Sequence, residues 1–255
     1  MEGGITTTKN LAVVHASTNT PQNNRLKTNT YDTSTLNKLN QLAKLLQLAS
    51  PALPVGAYSY SQGLEAAVEA KIIRDAASAQ RWITDVLMYS VMRMEAPLLL
   101  RLCAAWREND LAKVKQWNAL FLASRESAEL RAETAQMGYS LCKLTRELGM
   151  PEIALEEIAF PVVYAHAVTQ WHIDPHDALI AYLWSWLENQ VMAALKAVPL
   201  GQTNGQKILL ALGARLDAGA EEIAAMDDDD LGNFAPGLAL LSSIHETQYS
   251  RLFRS

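Results

Sequence analysis

The stretch DPHDALIAYLWSWLENQVMAALKA, residues 174–197, decides the fold. Asp174 has the short acceptor side chain of a helix N-cap, Pro175 brings the backbone angle of a first helical residue, and Asp177 places negative charge at the positive end of the helix dipole. Beyond them Leu179, Ile180, Tyr182, Leu183, Trp184, Trp186 and Leu187 are apolar nearly all round. A helix to about Ala197 at the centre of a bundle is therefore predicted.

The flanking text is helical too. Glu126 to Leu148 is rich in good helix formers and stops at Gly149-Met-Pro151. Leu111 to Ala123 carries Val114, Trp117, Leu120 and Phe121 on its apolar side. Trp82, Ile83, Val86, Leu87 and Val91 recur at three and four residues, which marks a helix from Ala76 towards Met94 that Pro97 should kink or restart. Two prolines and Gly56 make Pro51 to Ser59 a loop, followed by a helical run from Gln62 to Glu69. Leu39, Leu42, Leu45, Leu46 and Ala49 share one face of an earlier helix that Ser50-Pro51 ends. Helices at Gln206 to Leu216 and about Gly237 to Tyr249 complete the set. Alternating β-branched runs are absent. The expectation is an all-α, single-domain bundle of about ten helices over residues 38–255, preceded by a disordered Thr/Asn-rich arm at 1–37 that is too poor in large apolar groups to repay its ordering entropy.

Composition narrows the function. About half of the 255 residues are apolar (49%), enough for a core without disulfides or metals, and the two cysteines, Cys103 and Cys142, have no metal-ligand spacing around them. They read as small core residues in a reducing cytosol. A net charge of -5 leaves no basic stripe for nucleic acid. The charge-free run Ala178 to Leu187 is far below the ~20 residues of a membrane span, and no basic region followed by an apolar core opens the chain, so a cytoplasmic protein is expected.

Sites of chemistry are sparse. His172 and His176 are four apart, but Pro175 intervenes, and with Asp174 as cap the two imidazoles need not converge on a metal. His166 and His245 stand alone and read as ordinary hydrogen-bonded residues. Gly201 to Lys207 lacks the glycine spacing and preceding strand of a phosphate loop and reads as a helix break followed by a polar N-terminus. Asp227 to Asp230 lacks the DDxxD spacing of a magnesium-diphosphate site and reads as a solvated loop. No metal, catalytic or cofactor residue is assigned. The C-terminal HETQYSRLFRS is different: Tyr249, Leu252 and Phe253 alternate with Arg251 and Arg254, so the tail either packs on its own domain or docks on a partner.

Three stretches, LLQLASPALPVGAYSYSQGLE (45–65), VPLGQTNGQ (198–206) and HETQYSRLFRS (245–255), closely resemble signature segments of the urease accessory protein F (UreF) family, and SRESAELRAETAQMG (124–138) fits as well. The resemblance implies a cytoplasmic all-α scaffold, usually dimeric, with no enzymatic activity of its own. Such a scaffold joins the accessory protein UreD/UreH and the nickel-carrying GTPase UreG on apo-urease. Nickel and GTP would then be handled by the complex rather than by this chain. By the same resemblance Tyr58 and Arg251 match positions linked to GTPase recruitment, and Tyr249 to Arg254 match a segment ordered by UreD/UreH. It also raises the idea of Arg125 or Arg131 acting in trans on GTP, against which Arg125, Glu129 and Glu133 read as surface helix pairs. Two other functions stay open: a helical small-molecule enzyme with an apolar pocket near Trp184 and Trp186, and a nickel-storage protein that binds metal unaided.

Overall fold

A computed structural model describes Met1 and residues 33–255. Most of the expected arm therefore lies outside the described residues, while its last part, from Thr33, already belongs to the first helix. In chain order the α-helices are α1 (Thr33–Ala49), α2 (Leu64–Glu69), α3 (Ala76–Val86), α4 (Ala96–Arg107), α5 (Leu111–Ala123), α6 (Ala128–Glu147), α7 (Phe160–Gln170), α8 (Pro175–Ala197), α9 (Gln202–Gly213), α10 (Leu216–Ala224) and α11 (Pro236–His245). Among the described residues there is no strand.

The helix ends follow local chemistry. Asp174 accepts from the backbone N–H groups of His176 and Asp177, and α8 starts at Pro175 and ends at Ala197 as expected. Ser127 caps α6, Asp110 caps α5, and Asp75 forms a reciprocal capping pair with Ser78 at α3. At Pro97 the α-helix restarts: the proline stands in the first turn of α4. Between α3 and α4 the chain continues as a π-helical stretch, Leu87–Glu95, and returns to α-helix at Ala96. Pro97 has no N–H to offer the Arg93 carbonyl, which accepts instead from Gly232 at 3.1 Å, while Phe234 N–H donates to the Tyr89 carbonyl at 3.0 Å.

Two helices form the centre. Every residue of α7 from Pro161 to Val168 is buried, packed between α4 and α6. α8 buries Leu179, Leu183, Leu187 and Val191 against α1, α2, α4, α9 and α10. Each such fully buried aliphatic side chain contributes about 1.5–3 kcal/mol. The close approach of α6 to α7 depends on Gly138, where an added Cβ would fall 2.1 Å from the Ile158 carbonyl oxygen. Trp184, expected among the central residues, instead points partly outward and lies over Gly213. Two sequence boundaries shift, α9 beginning at Gln202 rather than Gln206 and α11 ending at His245 rather than Tyr249, and two helices, α7 and α10, are additional. Cys103 is buried, its thiol pushed up to about 12 by loss of water, and Cys142 is half-buried; neither is in a disulfide.

Candidate partner-binding site

The loop between α1 and α2 turns at Gly56, whose φ of +78° is available to glycine without strain. A single 3₁₀ turn, Ala57–Ser59, then carries Tyr58 outward with 64% of its surface exposed, while Tyr60 and Ser61 turn inward. Gly63 (φ +74°) starts α2 with its backbone against α11: a Cβ there would meet the Ser242 nitrogen at 3.3 Å.

Against this loop the tail folds back. Glu65, buried on α2, accepts from the backbone N–H groups of Leu252 (2.7 Å) and Phe253 (3.0 Å). The same carboxylate faces His245 Nε2 at 3.2 Å, and His245 Nδ1 faces Glu129 on α6 at 2.7 Å. A neutral imidazole can donate to only one of these carboxylates, an imidazolium to both. Glu129 also accepts from Arg251 at 2.5 Å. Further along, Arg254 N–H donates to the Ser59 carbonyl (2.8 Å), and Ser61 donates to the Ser255 carbonyl through both its N–H and its hydroxyl (2.7 and 2.6 Å). Ser255 Oγ donates to Glu133, whose other oxygen accepts from Gln62.

Burial sets the electrostatics of this seam. Loss of water raises the Glu133 carboxyl to about 7, against the opposing pull of the Ser255 and Gln62 hydrogen bonds; Glu95 adds to the rise and Arg125 offsets it. Burial, then the Glu133 carboxyl, raises the Tyr60 phenol, while Arg254 acts in the other direction, which sets the Arg254 guanidinium beside that hydroxyl.

The expected site residues therefore divide. Tyr58, Tyr249 and Leu252 face solvent, and Arg251 and Arg254 are exposed yet tethered. Phe253 departs from the expected outward display: only 6% of its surface is exposed, because its ring fills the core beneath the tail. Lys196 joins the two halves, its Nζ lying 5.9 Å from the Tyr58 ring centroid and 5.5 Å from that of Phe253. Tyr58, Ser59, Lys196, Leu252, Phe253 and Arg254 line an open cleft of about 450 Å³. Glu65, Glu129, Glu133, His245 and Lys196 are the residues that reading the sequence did not assign to the site. A charged Glu65 between Leu64 and Ala66 on an apolar run was the available signal.

A narrower cavity of about 170 Å³ runs beneath Tyr58, with Trp186, Glu95, Arg125 and Glu133 in its wall. It resembles the pocket of the enzyme alternative, but two of its three carboxylates, Glu95 and Glu133, are committed, while Glu188, whose pKa burial raises, has no hydrogen bond or ion pair among the described residues. Glu95 is held by the Tyr182 hydroxyl and by Arg125 at 3.3 Å, and Glu133 by Gln62 and Ser255. Burial, and then Glu95, raises the Tyr182 phenol strongly, so that hydroxyl stays a donor.

The surface-pair reading of Arg125, Glu129 and Glu133 is overturned. Arg125 precedes α6 and is buried between Glu95 and the Phe121 ring (4.2 Å), while the two glutamates bind the tail. Arg131 forms a two-point pair with Glu157 on the surface. His166, expected to be hydrogen-bonded, packs against Trp106 at 4.8 Å, and burial lowers its pKa. His172 lies outside α8 and His176 in its first turn, where it faces Asp217 at 3.8 Å. Among the described residues no group of three or more His, Cys, Asp or Glu is arranged to hold a metal ion, and no helix is long and apolar enough to cross a membrane.

The UreF family model matches residues 73–213. Among curated relatives, the urease accessory protein UreF of Azoarcus sp. strain BH72 is 57% identical over 223 residues, covering 84% of this chain and 95% of the relative. That of Dechloromonas aromatica strain RCB is 53% identical over 223 residues, covering 84% and 98%. That of Methylobacillus flagellatus is 49% identical over 228 residues, covering 86% and 100%. With a family match over more than half its length and relatives this similar along nearly their whole chains, the protein belongs to the UreF family of urease accessory proteins, which are not themselves enzymes.

Proposed function

We propose that this chain is the adaptor of urease maturation, binding UreD/UreH through its tail and recruiting and regulating UreG on apo-urease, so that GTP hydrolysis serves assembly of the nickel centre. One observation carries the reading: Tyr58 and the tail form a single outward face around Lys196, held from below by contacts private to the chain. Exposed Tyr58 and Leu252 supply apolar anchors, and Arg251 and Arg254 supply planar donors for carboxylates or carbonyls of a partner. Nickel and GTP belong to the complex, and no cofactor is assigned to this chain. A cytoplasmic location fits this role.

A homodimer is part of the proposal. Leu36, Leu39, Leu42 and Leu46 lie exposed along α1, a leucine stripe at helical spacing that a second copy would cover.

The test is pull-down of purified UreD/UreH and UreG by the full chain and by Tyr58→Ala, Arg251→Ala and Leu252→Ala. Loss of UreG with the first two, and of UreD/UreH with the third, is expected. Retention of both partners by all three variants overturns the assignment. Point variants are preferred to deletion from Tyr249, which would uncover Glu65 and Glu133 and disturb the body.

A further inference from the structure

Ser255 is seated on a carboxyl that no Lys, Arg or His pairs with among the described residues. Glu133 on α6 is buried and takes its hydrogen bonds from neutral groups alone, Gln62 Nε2 at 2.8 Å and Ser255 Oγ at 2.7 Å. The charges that act on it are matched elsewhere: Glu95 of the π-helical stretch with Arg125 at 3.3 Å, and Arg254 of the tail with the Tyr60 phenol. On its other side Leu130, Met137 and Phe160 wall the cavity beneath Tyr58 and offer no side-chain donor.

The seat is built at a cost. Gln62 holds a left-handed backbone (φ +52°), which a residue with a Cβ adopts against its own sterics, and in that position its amide ties two elements together. Its oxygen accepts from Trp186 Nε1 on α8 at 2.7 Å, and its nitrogen donates to Glu133 on α6. Beside it Ser61 binds the Ser255 carbonyl through its N–H and its hydroxyl, and the Arg254 N–H reaches the Ser59 carbonyl. Ser255, itself fully buried, thus closes over the Glu133 carboxyl.

A carboxyl so placed is at ease only with its proton. In the acid form its O–H can donate along the 2.7 Å line to Ser255 Oγ, a hydroxyl able to accept, while its other oxygen takes the Gln62 amide. Ionised, it is a charge without a counter-ion in a site closed to water, which is a costly state. Lifting Ser255 admits water and relieves that cost.

We propose that Glu133 is a proton-operated latch on the tail: the acid form keeps Ser255 seated, and the ionised form favours lifting of Arg254 and Ser255 from the loop, with the carboxylate in water. Burial holds the seated carboxyl up at about 7 against an ordinary 4.5. Between those values the seated tail keeps a proton that the lifted tail has lost, so seating weakens as pH rises through that window and levels off above it. The latch is a property of this chain alone. That a lifted tail loosens UreD/UreH rests on the role proposed for the tail above.

The test is hydrogen exchange of the full chain, read at the Arg254 and Ser61 amides, whose acceptors join the tail to the loop, with intrinsic exchange divided out. From about pH 5.5 to about pH 8 the opening seen at both amides should rise about tenfold or more, and Glu133→Gln, which has no proton to lose, should hold it nearly constant. The measurement uses no partner, so a failed pull-down leaves its outcome untouched. Should the variant fold poorly, an NMR titration of the Glu133 carboxyl in the unaltered chain serves in its place, its midpoint expected to coincide with that of exchange at Arg254. Equal slopes in variant and parent, midpoints that differ, or tail amides indifferent to pH while those of α7 speed up would each overturn the proposal, the last by placing the proton with the body rather than with the tail.

Discussion

From Pro161 to Val168 the centre of the bundle is almost wholly apolar, with His166 and the Tyr164 hydroxyl as its polar groups. The seam that holds the tail is equally dry, but its buried groups are Glu65, Glu133, His245, Ser61 and Ser255. The first contact draws on area removed from water, which has no direction and tolerates many arrangements. The second draws on hydrogen bonds, each adding only about 1 kcal/mol when made but costing about 1–3 kcal/mol when a buried partner is left bare. The centre therefore supplies stability, and the seam supplies a single position for the tail, fixing which side chains point outward.

The sharpest way to break the apolar side is Gly138→Ala. The new methyl would meet the Ile158 carbonyl at 2.1 Å and Ala159 at 2.9 Å, both backbone, so α6 and α7 must separate. A loss of about 4 kcal/mol or more in urea unfolding is expected. A loss below about 1 kcal/mol would mean that these helices can part without disturbing the core.

Glu65→Ala breaks the polar side. It strips acceptors from Leu252, Phe253 and His245 at once, and about 3 kcal/mol of stability should go with them. The separating readout is trypsin: cleavage after Arg251 and Arg254 should speed up far more than cleavage elsewhere. Uniform acceleration along the chain would make the seam part of the general fold rather than an anchor for the tail.

This contrast also explains what could be read from the sequence. The caps and periodicity of α5, α6 and α8 are local signals, and the observed ends of α5 and α8 fall where Asp110, Asp174 and Pro175 put them. α7 left no such mark, because FPVVYAHAV is apolar on all sides and rich in valine, a run whose period separates helix from strand poorly. Of the exposed half of the site, Leu252 was singled out by a tail in which apolar groups alternate with arginines, whereas Tyr58 was named only through the resemblance to the UreF family. The buried half did not, since Glu65 and Leu252 are 187 positions apart, and a glutamate on a helix ordinarily reads as a surface charge. Phe253 was misjudged for the same reason: only the folded chain tells which neighbour in Leu252-Phe253 turns inward.

Glu133→Gln sharpens the comparison through pH. In the folded chain the Glu133 carboxyl titrates at about 7, against an ordinary value of 4.5, and burial is the cause. Between those values the folded state keeps a proton that the unfolded state has lost, so stability declines as pH rises through the window and levels off above it. Glutamine cannot ionise; its oxygen can accept from Gln62 and its amide can donate to Ser255 Oγ, reversing that one bond, so it preserves the geometry while removing the titration. The variant's stability relative to the parent chain should therefore improve from about pH 5 to about pH 8, by on the order of 2 kcal/mol in paired urea titrations. The α7 side slopes the opposite way: burial lowers the pKa of His166 below its ordinary 6.5, so the unfolded chain takes up a proton there before the folded chain does and stability falls as pH drops through that value. That effect is common to variant and parent and cancels in their difference. A difference between variant and parent that stayed constant with pH would mean that the donors from Ser255 and Gln62 outweigh the loss of water, leaving Glu133 with the titration of an ordinary carboxyl.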